Sequence, residues 1–133
     1  MFRIALLLLM ATGSAWADWV AIGKSPDFTM YVDPQSLRRN GNIASAWIMG
    51  DYVKTKKQRF PPPIGWVDFE SIKELKNFDC NKGMHRTDKT VIMSGKLAKG
   101  DPLYTFNSVP DYFPVPNSEL DIAQFNYVCA NAR

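Results

Sequence analysis

An export-type leader followed by only two cysteines constrains this chain more than any other feature. Met1, Phe2 and Arg3 form a short positive segment, and Ile4 through Met10 is an unbroken apolar run that Ala11 and Thr12 extend weakly. Gly13 and Ser14 then break the helix, and Ala15-Trp16-Ala17 sets small residues at the two positions a signal peptidase reads. The pattern predicts a signal peptide over residues 1–17, cleaved after Ala17 so that Asp18 begins the mature chain. The apolar run is too short to span a bilayer, which takes roughly 20 residues. Charges or prolines interrupt every later apolar segment. No cysteine stands at the cleavage site, so no bacterial lipoprotein anchor is expected.

Removing 17 of the 133 residues leaves 116, the length of one domain, here residues 18–133. Of 16 basic residues only Arg3 lies in the leader, so the remainder carries a formal charge of +2 against 13 acidic ones. That balance is too small to imply nucleic acid or a membrane surface as partner. A composition 46% hydrophobic, with Trp19, Trp47 and Trp66 in the mature part, supplies material for a core. In an oxidising compartment two lone cysteines most often pair. Cys80 and Cys129 lie 49 positions apart (129 less 80), and closing a loop of that size removes about 4 kcal/mol of unfolded-chain entropy. A metal pair or a reactive thiol is the rival reading, weakened by the absence of a nearby second cysteine and by a single histidine.

The local patterns are mostly those of strands. Trp19–Ile22 and Phe28–Val32 read as a hairpin around a turn at Gly23–Asp27. Asp33-Pro34-Gln35-Ser36 starts a turn, and Asn40-Gly41-Asn42 carries the strongest short hairpin signal before a long strand from Ile43 to Tyr52. Lys54 to Gly65, with Lys54, Lys56, Lys57, Arg59 and three consecutive prolines, reads as an exposed, basic, semi-stiff loop. Such a basic run is more often an ordinary solvated loop between two strands, and it is a candidate contact for an anionic glycan or an acidic protein face.

Val67–Cys80 and Met84–Ser94 are further strands around Asn81-Lys82-Gly83, with Ile72, Phe78 and Cys80 on one parity. Lys96–Asn117 is proline-punctuated loop, with a short edge strand at Tyr104–Phe106. A helix over about Ser118–Cys129, capped by Asn117 or Ser118, shows Leu120, Ala123, Tyr127 and Val128 at helical spacing. Ile122, Phe125 and Cys129 widen that face. The expected fold is α+β: an antiparallel sheet of five to six strands, a C-terminal helix packed on it, and one disulfide stapling the two.

Catalytic chemistry is not legible. His85 is the only imidazole, and its neighbours Met84, Arg86 and Asp88 do not hold it as a base beside a nucleophile. Asp68 and Glu70 are the one close pair of carboxylates on a strand face, and such pairs are usually solvated. No phosphate-binding loop, metal-ligand cluster or cofactor motif is present, so an enzyme is not expected.

One ordered set of residues carries a resemblance. It runs Trp19, Gly23, Tyr31-Val32-Asp33-Pro34-Gln35-Ser36, Arg38 to Asn42, Trp47 and Asp51-Tyr52. It continues through Ser71-Ile72-Lys73, Phe78-Asp79-Cys80, Ser94-Gly95, Pro114 to Ser118 and Asn126 to Cys129. This set resembles the surface-adhesin protein E-like family of proteobacteria over nearly the whole mature chain. The resemblance implies an antiparallel sheet with a C-terminal helix tied by Cys80–Cys129, and no catalytic residues. It also implies an exported, non-enzymatic binding module, because the family's namesake is an outer-membrane lipoprotein adhesin for host matrix and serum proteins. Without a lipidation cysteine, a periplasmic or secreted protein is expected, either such a module or a soluble assembly accessory of the envelope. Exposed edge strands leave a homodimer open.

Overall fold

A computed structural model describes residues 18–107 and 111–133. The predicted leader, including Ala17 at the cleavage point, lies outside the described residues. Among the described residues there are eight strands and one α-helix: β1 (Val20–Lys24), β2 (Phe28–Val32), β3 (Arg38–Asn40), β4 (Ile43–Phe60), β5 (Gly65–Asp79), β6 (Met84–Met93), β7 (Pro102–Asn107), β8 (Phe113–Pro114) and α1 (Glu119–Asn131). They form one antiparallel sheet in the order β1-β2-β4-β5-β6-β7, with β3 beside β4 and β8 beside β6. The expected five to six strands correspond to the six of this path. The two short strands β3 and β8 lie off it: the Asn40-Gly41 hairpin signal points to β3, and nothing in the local sequence announces β8.

Local chemistry explains most of the boundaries. Asp33 accepts from the backbone N–H of Gln35 at 3.0 Å, and Pro34 fixes the first dihedral of the short turn Pro34–Ser36. Ser36 closes that turn against the sheet, its hydroxyl accepting from the Trp47 backbone N–H at 2.8 Å. Between β3 and β4 the two-residue connection is Gly41-Asn42, and Gly41 supplies the positive φ of 60° that such a hairpin needs. Ser118 caps α1, accepting from the Asp121 backbone N–H at 3.2 Å. Glu119 and Asp121 fall in the first turn, where the helix dipole favours acids.

The core lies on one face of the sheet in two adjoining parts. Under α1, Val32, Ala44, Ala46, Ile48 and Phe78 pack with Val128 and Ala132. Further along the same face, Phe69, Phe60 and Ile92 pack with Tyr52, Ile72 and Tyr104. A fully buried side chain of this size contributes roughly 1.5–3 kcal/mol, so each part holds down whatever covers it. The Cys80–Cys129 disulfide, with Cα atoms 5.8 Å apart, pins the last turn of α1 to the chain just beyond β5. Arg39 adds a second tie from β3, its guanidinium donating to the Cys129 carbonyl at 2.8 Å.

The opposite face is covered near Asp51 and Ser71 by the turn after β6. Leu97 and Ala98 take φ of 55° and 57° there, a left-handed conformation that costs non-glycine residues energy. Hydrogen bonds hold them in place: the Leu97 N–H donates to Asp51 Oδ1 at 2.7 Å and the Ala98 N–H to Ser71 Oγ at 3.0 Å.

Candidate functional site

Two elements cover the helix-side face: α1 on one half and the far end of β4 and β5 on the other. β2 makes its last pair with β4 at Tyr52, and β6 its last pair with β5 at Ser71. Beyond those points only β4 and β5 continue together, from Lys56 opposite Phe69 to Phe60 opposite Gly65. A bulge separates this arm from the main ladder, since Tyr52 through Thr55 stand against the single residue Glu70. The arm folds over the sheet. The Phe60 ring lies 5.7 Å from Tyr104 and 6.4 Å from Phe69, and Phe69 lies 5.8 Å from Tyr52.

This corrects the expected loop at Lys54–Gly65. The chain stays in a strand through Phe60, and the prolines occupy only the turn Pro61–Ile64. Phe60, spaced to reach the second core, is what keeps an otherwise polar run in register. The four basic residues are not brought together as one patch. Lys54 lies in the bulge, where it lines a shallow hollow of about 300 Å³ with Asp27 and Tyr52. Lys56 sits on the Phe60 side, its ammonium 5.8 Å from the Tyr52 ring centre. Lys57 and Arg59 fall on the other side by strand alternation, opposite Asp68 and Trp66. Trp66, counted from sequence as core material, is 66% exposed on that outer side.

Between α1 and the root of the arm a cleft of about 200 Å³ remains. Ile48, Gly50 and Ile72 line it from the sheet, with Phe28, Met30 and Tyr52 around them. Glu74 and Lys76 enter from β5, Asp121 and Gln124 from α1. Lys76 is 8% exposed and donates to Gln124 Oε1 at 3.2 Å. The Gln124 amide in turn donates to the Met30 sulfur. Glu74 accepts from the Thr87 hydroxyl at 3.3 Å, and Asp121 from the Ser118 hydroxyl. Burial, then the carboxylates of Glu74 and Asp27, push the Tyr52 phenol above its ordinary value of 10.0.

Sequence reasoning missed this polar pair. The helix face read as Leu120, Ala123, Tyr127 and Val128 turns so that Gln124 and Val128 are its buried residues, while Ile122 is 40% exposed. Gln124 stands four positions before Val128, which is the one signal that places it on the buried stripe.

The other titratable candidates have structural partners. Asp68 lies 3.8 Å from the Lys57 ammonium, and Glu70 accepts from the Thr55 hydroxyl at 3.2 Å. Among the described residues no group of three or more His, Cys, Asp and Glu side chains could hold a metal ion. His85 stacks on Phe78 with ring centres 6.3 Å apart. Burial, and next the Lys76 ammonium, hold its imidazole below the ordinary 6.5, against a smaller opposite pull from Asp121 and Glu74. The unfolded chain therefore takes up the proton first as pH falls below 6.5, and stability is lost down to the lowered folded value. The melting temperature is expected to fall between pH 7 and pH 5, and to fall less in His85→Gln. Equal losses in both proteins would place the acid sensitivity elsewhere.

The surface-adhesin protein E family matches residues 19–130. The chain belongs to that family. Crystal form II of Haemophilus influenzae protein E superposes with a TM-score of 0.62 at 12% identity, covering 89% of this chain and 91% of that one. A second structure of Haemophilus influenzae protein E gives 0.61 at 13% identity, covering 89% and 88%. No curated protein matches the sequence. At these identities the likeness to protein E establishes the fold: an antiparallel sheet with a C-terminal helix, here carrying the Cys80–Cys129 disulfide. Membership of the surface-adhesin protein E family makes the chain adhesin-like. Among the described residues no helix is long and apolar enough to cross a membrane.

Proposed function

We propose that this member of the surface-adhesin protein E family is an exported, non-enzymatic module that binds a protein partner through the outer face of the β4–β5 arm. The observation that carries this reading is Trp66, 66% exposed and directly opposite Arg59. Tryptophan and arginine are the residue types that dominate protein interfaces once a partner desolvates them. Lys57 lies 3.8 Å from Asp68, whereas Arg59 makes no ion pair among the described residues, so an acidic, pocketed protein face is the complement of this cation opposite the indole. An anionic glycan would need several cations on one side, whereas Lys54 and Lys56 stand apart from Lys57 and Arg59.

The test is binding of the purified mature protein to immobilised extracellular-matrix and serum proteins. For a partner so found, Trp66→Ala is expected to weaken affinity about 30-fold, the loss typical of a buried aromatic anchor. Lys54→Ser with Lys56→Ser should leave it nearly unchanged. Undiminished affinity in Trp66→Ala would remove the arm from the account.

The compartment is tested in the same cells by fractionation with protease on intact cells. Protease-accessible outer-membrane or extracellular protein is the expected outcome. Protein confined to the soluble periplasm would make it an envelope accessory with an internal partner. An intact mass beginning at Asp18 would verify the leader.

A further inference from the structure

The cleft between α1 and the arm has features that the outer face of the arm does not use. Its volume of about 200 Å³ lies below the about 300–1,000 Å³ of small-molecule sites, which suits a single side chain better than a whole cofactor. Its sheet-side lining is apolar at Ile72, and Phe28 and Tyr52 present two rings 5.8 Å apart. The charges are unbalanced: Glu74 and Asp121 face the single ammonium of Lys76, which is turned to Gln124 and forms no ion pair with either carboxylate. Among the described residues each carboxylate has one side-chain donor, Thr87 or Ser118, and a carboxylate has room for more. Excess negative charge beside aromatic rings in a half-enclosed space attracts an organic cation on an alkyl stem. Burial first, and after it the carboxylates of Glu74 and Asp27, raise the Tyr52 phenol, so both carboxylates lie close enough to act on the ring at the mouth.

We propose that this cleft receives a lysine or arginine side chain of the partner protein, its stem lying on Ile72 against Phe28 and Tyr52 and its charged head meeting Glu74 and Asp121. The inference rests on the reading that the partner is a protein, and it gives that protein a second anchor beside the arm. A basic residue and an acidic face on the partner would then fix its orientation, because the cleft and Arg59 carry opposite signs.

The experiment needs no known partner. The labelled mature protein is titrated with N-acetyl-lysine N-methylamide, N-acetyl-arginine N-methylamide, the uncharged N-acetyl-norleucine N-methylamide and the acidic N-acetyl-glutamate N-methylamide. Methyl resonances of Ile72 and Met30 are the readout. Saturable shifts with a basic probe are expected, at an affinity about tenfold above that of norleucine, the change that one satisfied charge contact brings.

Lys76→Met should tighten the basic probe, and Glu74→Gln with Asp121→Asn should abolish the preference over norleucine. Absence of shifts with both basic probes, equal binding of norleucine, or tighter binding of the acidic probe that Lys76→Met removes would each overturn the proposal. The probe comparison on the unmodified protein stands even if a variant fails to fold. The two readings also fail separately. Undiminished partner binding in Trp66→Ala with the basic probe still bound sinks the arm alone, and silent probes beside a partner complex that Trp66→Ala weakens sink the cleft alone.

Discussion

Replacing Cys80 and Cys129 together by serine is expected to cost about 2–5 kcal/mol, the range for native disulfides in small exported domains. Set against a total stability on the order of 5–15 kcal/mol, this is a large fraction of what holds the domain folded. Part of the effect lies in the unfolded state, where the 49-residue separation of the two cysteines sets the size of the constrained loop. Part lies in the helix. α1 has 13 residues, and isolated helices shorter than about 12–15 residues are marginal in water. Its persistence depends on Val128, on Gln124 and on the staple itself. Guanidinium unfolding of the oxidised protein and of the double serine variant, followed by far-ultraviolet circular dichroism, would measure the difference. A loss under about 1 kcal/mol would mean that side-chain packing alone holds the helix. Reduction without mutation should reproduce most of the loss.

Phe69→Ala is expected to destabilise by about 3–5 kcal/mol, as aromatic truncation in a packed core does. Phe69 is 1% exposed and bridges Tyr52 at the root of the arm to Phe60 near its tip. Removing the ring leaves a cavity that a two-stranded arm with no further strand neighbours cannot readily collapse to fill. Val53→Ala in the adjoining bulge is the control. Val53 is 60% exposed, and its truncation should stay within about 0.5 kcal/mol. The arm should also loosen selectively, so amides of Val67 to Phe69 should lose hydrogen-exchange protection before those of Phe78 beneath α1. Uniform loss across the sheet would show that the two core parts unfold as one unit. A loosened arm also shifts Tyr52, so the cleft is expected to lose its shape in the same variant.

Much of this was legible in the order of residues, and for identifiable reasons. The turns at Asp33-Pro34 and Gly41, the Ser118 cap and the strands β2 and β6 are encoded by chemistry spanning a few positions. The cysteine pair needed only the compartment implied by the leader and the count of two. Adhesin-type membership was legible from the ordered motifs between Trp19 and Cys129, and the family match over residues 19–130 agrees with it. The arm was not legible. Lys54 to Arg59 is polar at every position, and three prolines follow, a pattern that locally means loop. Only Phe60 and Phe69, meeting Tyr104 and Tyr52 across the fold, make it a strand pair.

By itself, then, the sequence determined most of the elements, though not the arm, together with the staple and the family, because propensity, capping, turn geometry and cysteine count act over short spans or need no geometry at all. Tertiary structure alone decided which large residues face water and which polar ones do not. Trp66 is outside and Gln124 inside because strand register and helix rotation are set by partners far along the chain. The cleft exists for the same reason. Phe28, Tyr52, Ile72 and Asp121 surround one space only after β2, β4, β5 and α1 have packed, and no local pattern records the gap that two covering elements leave between them.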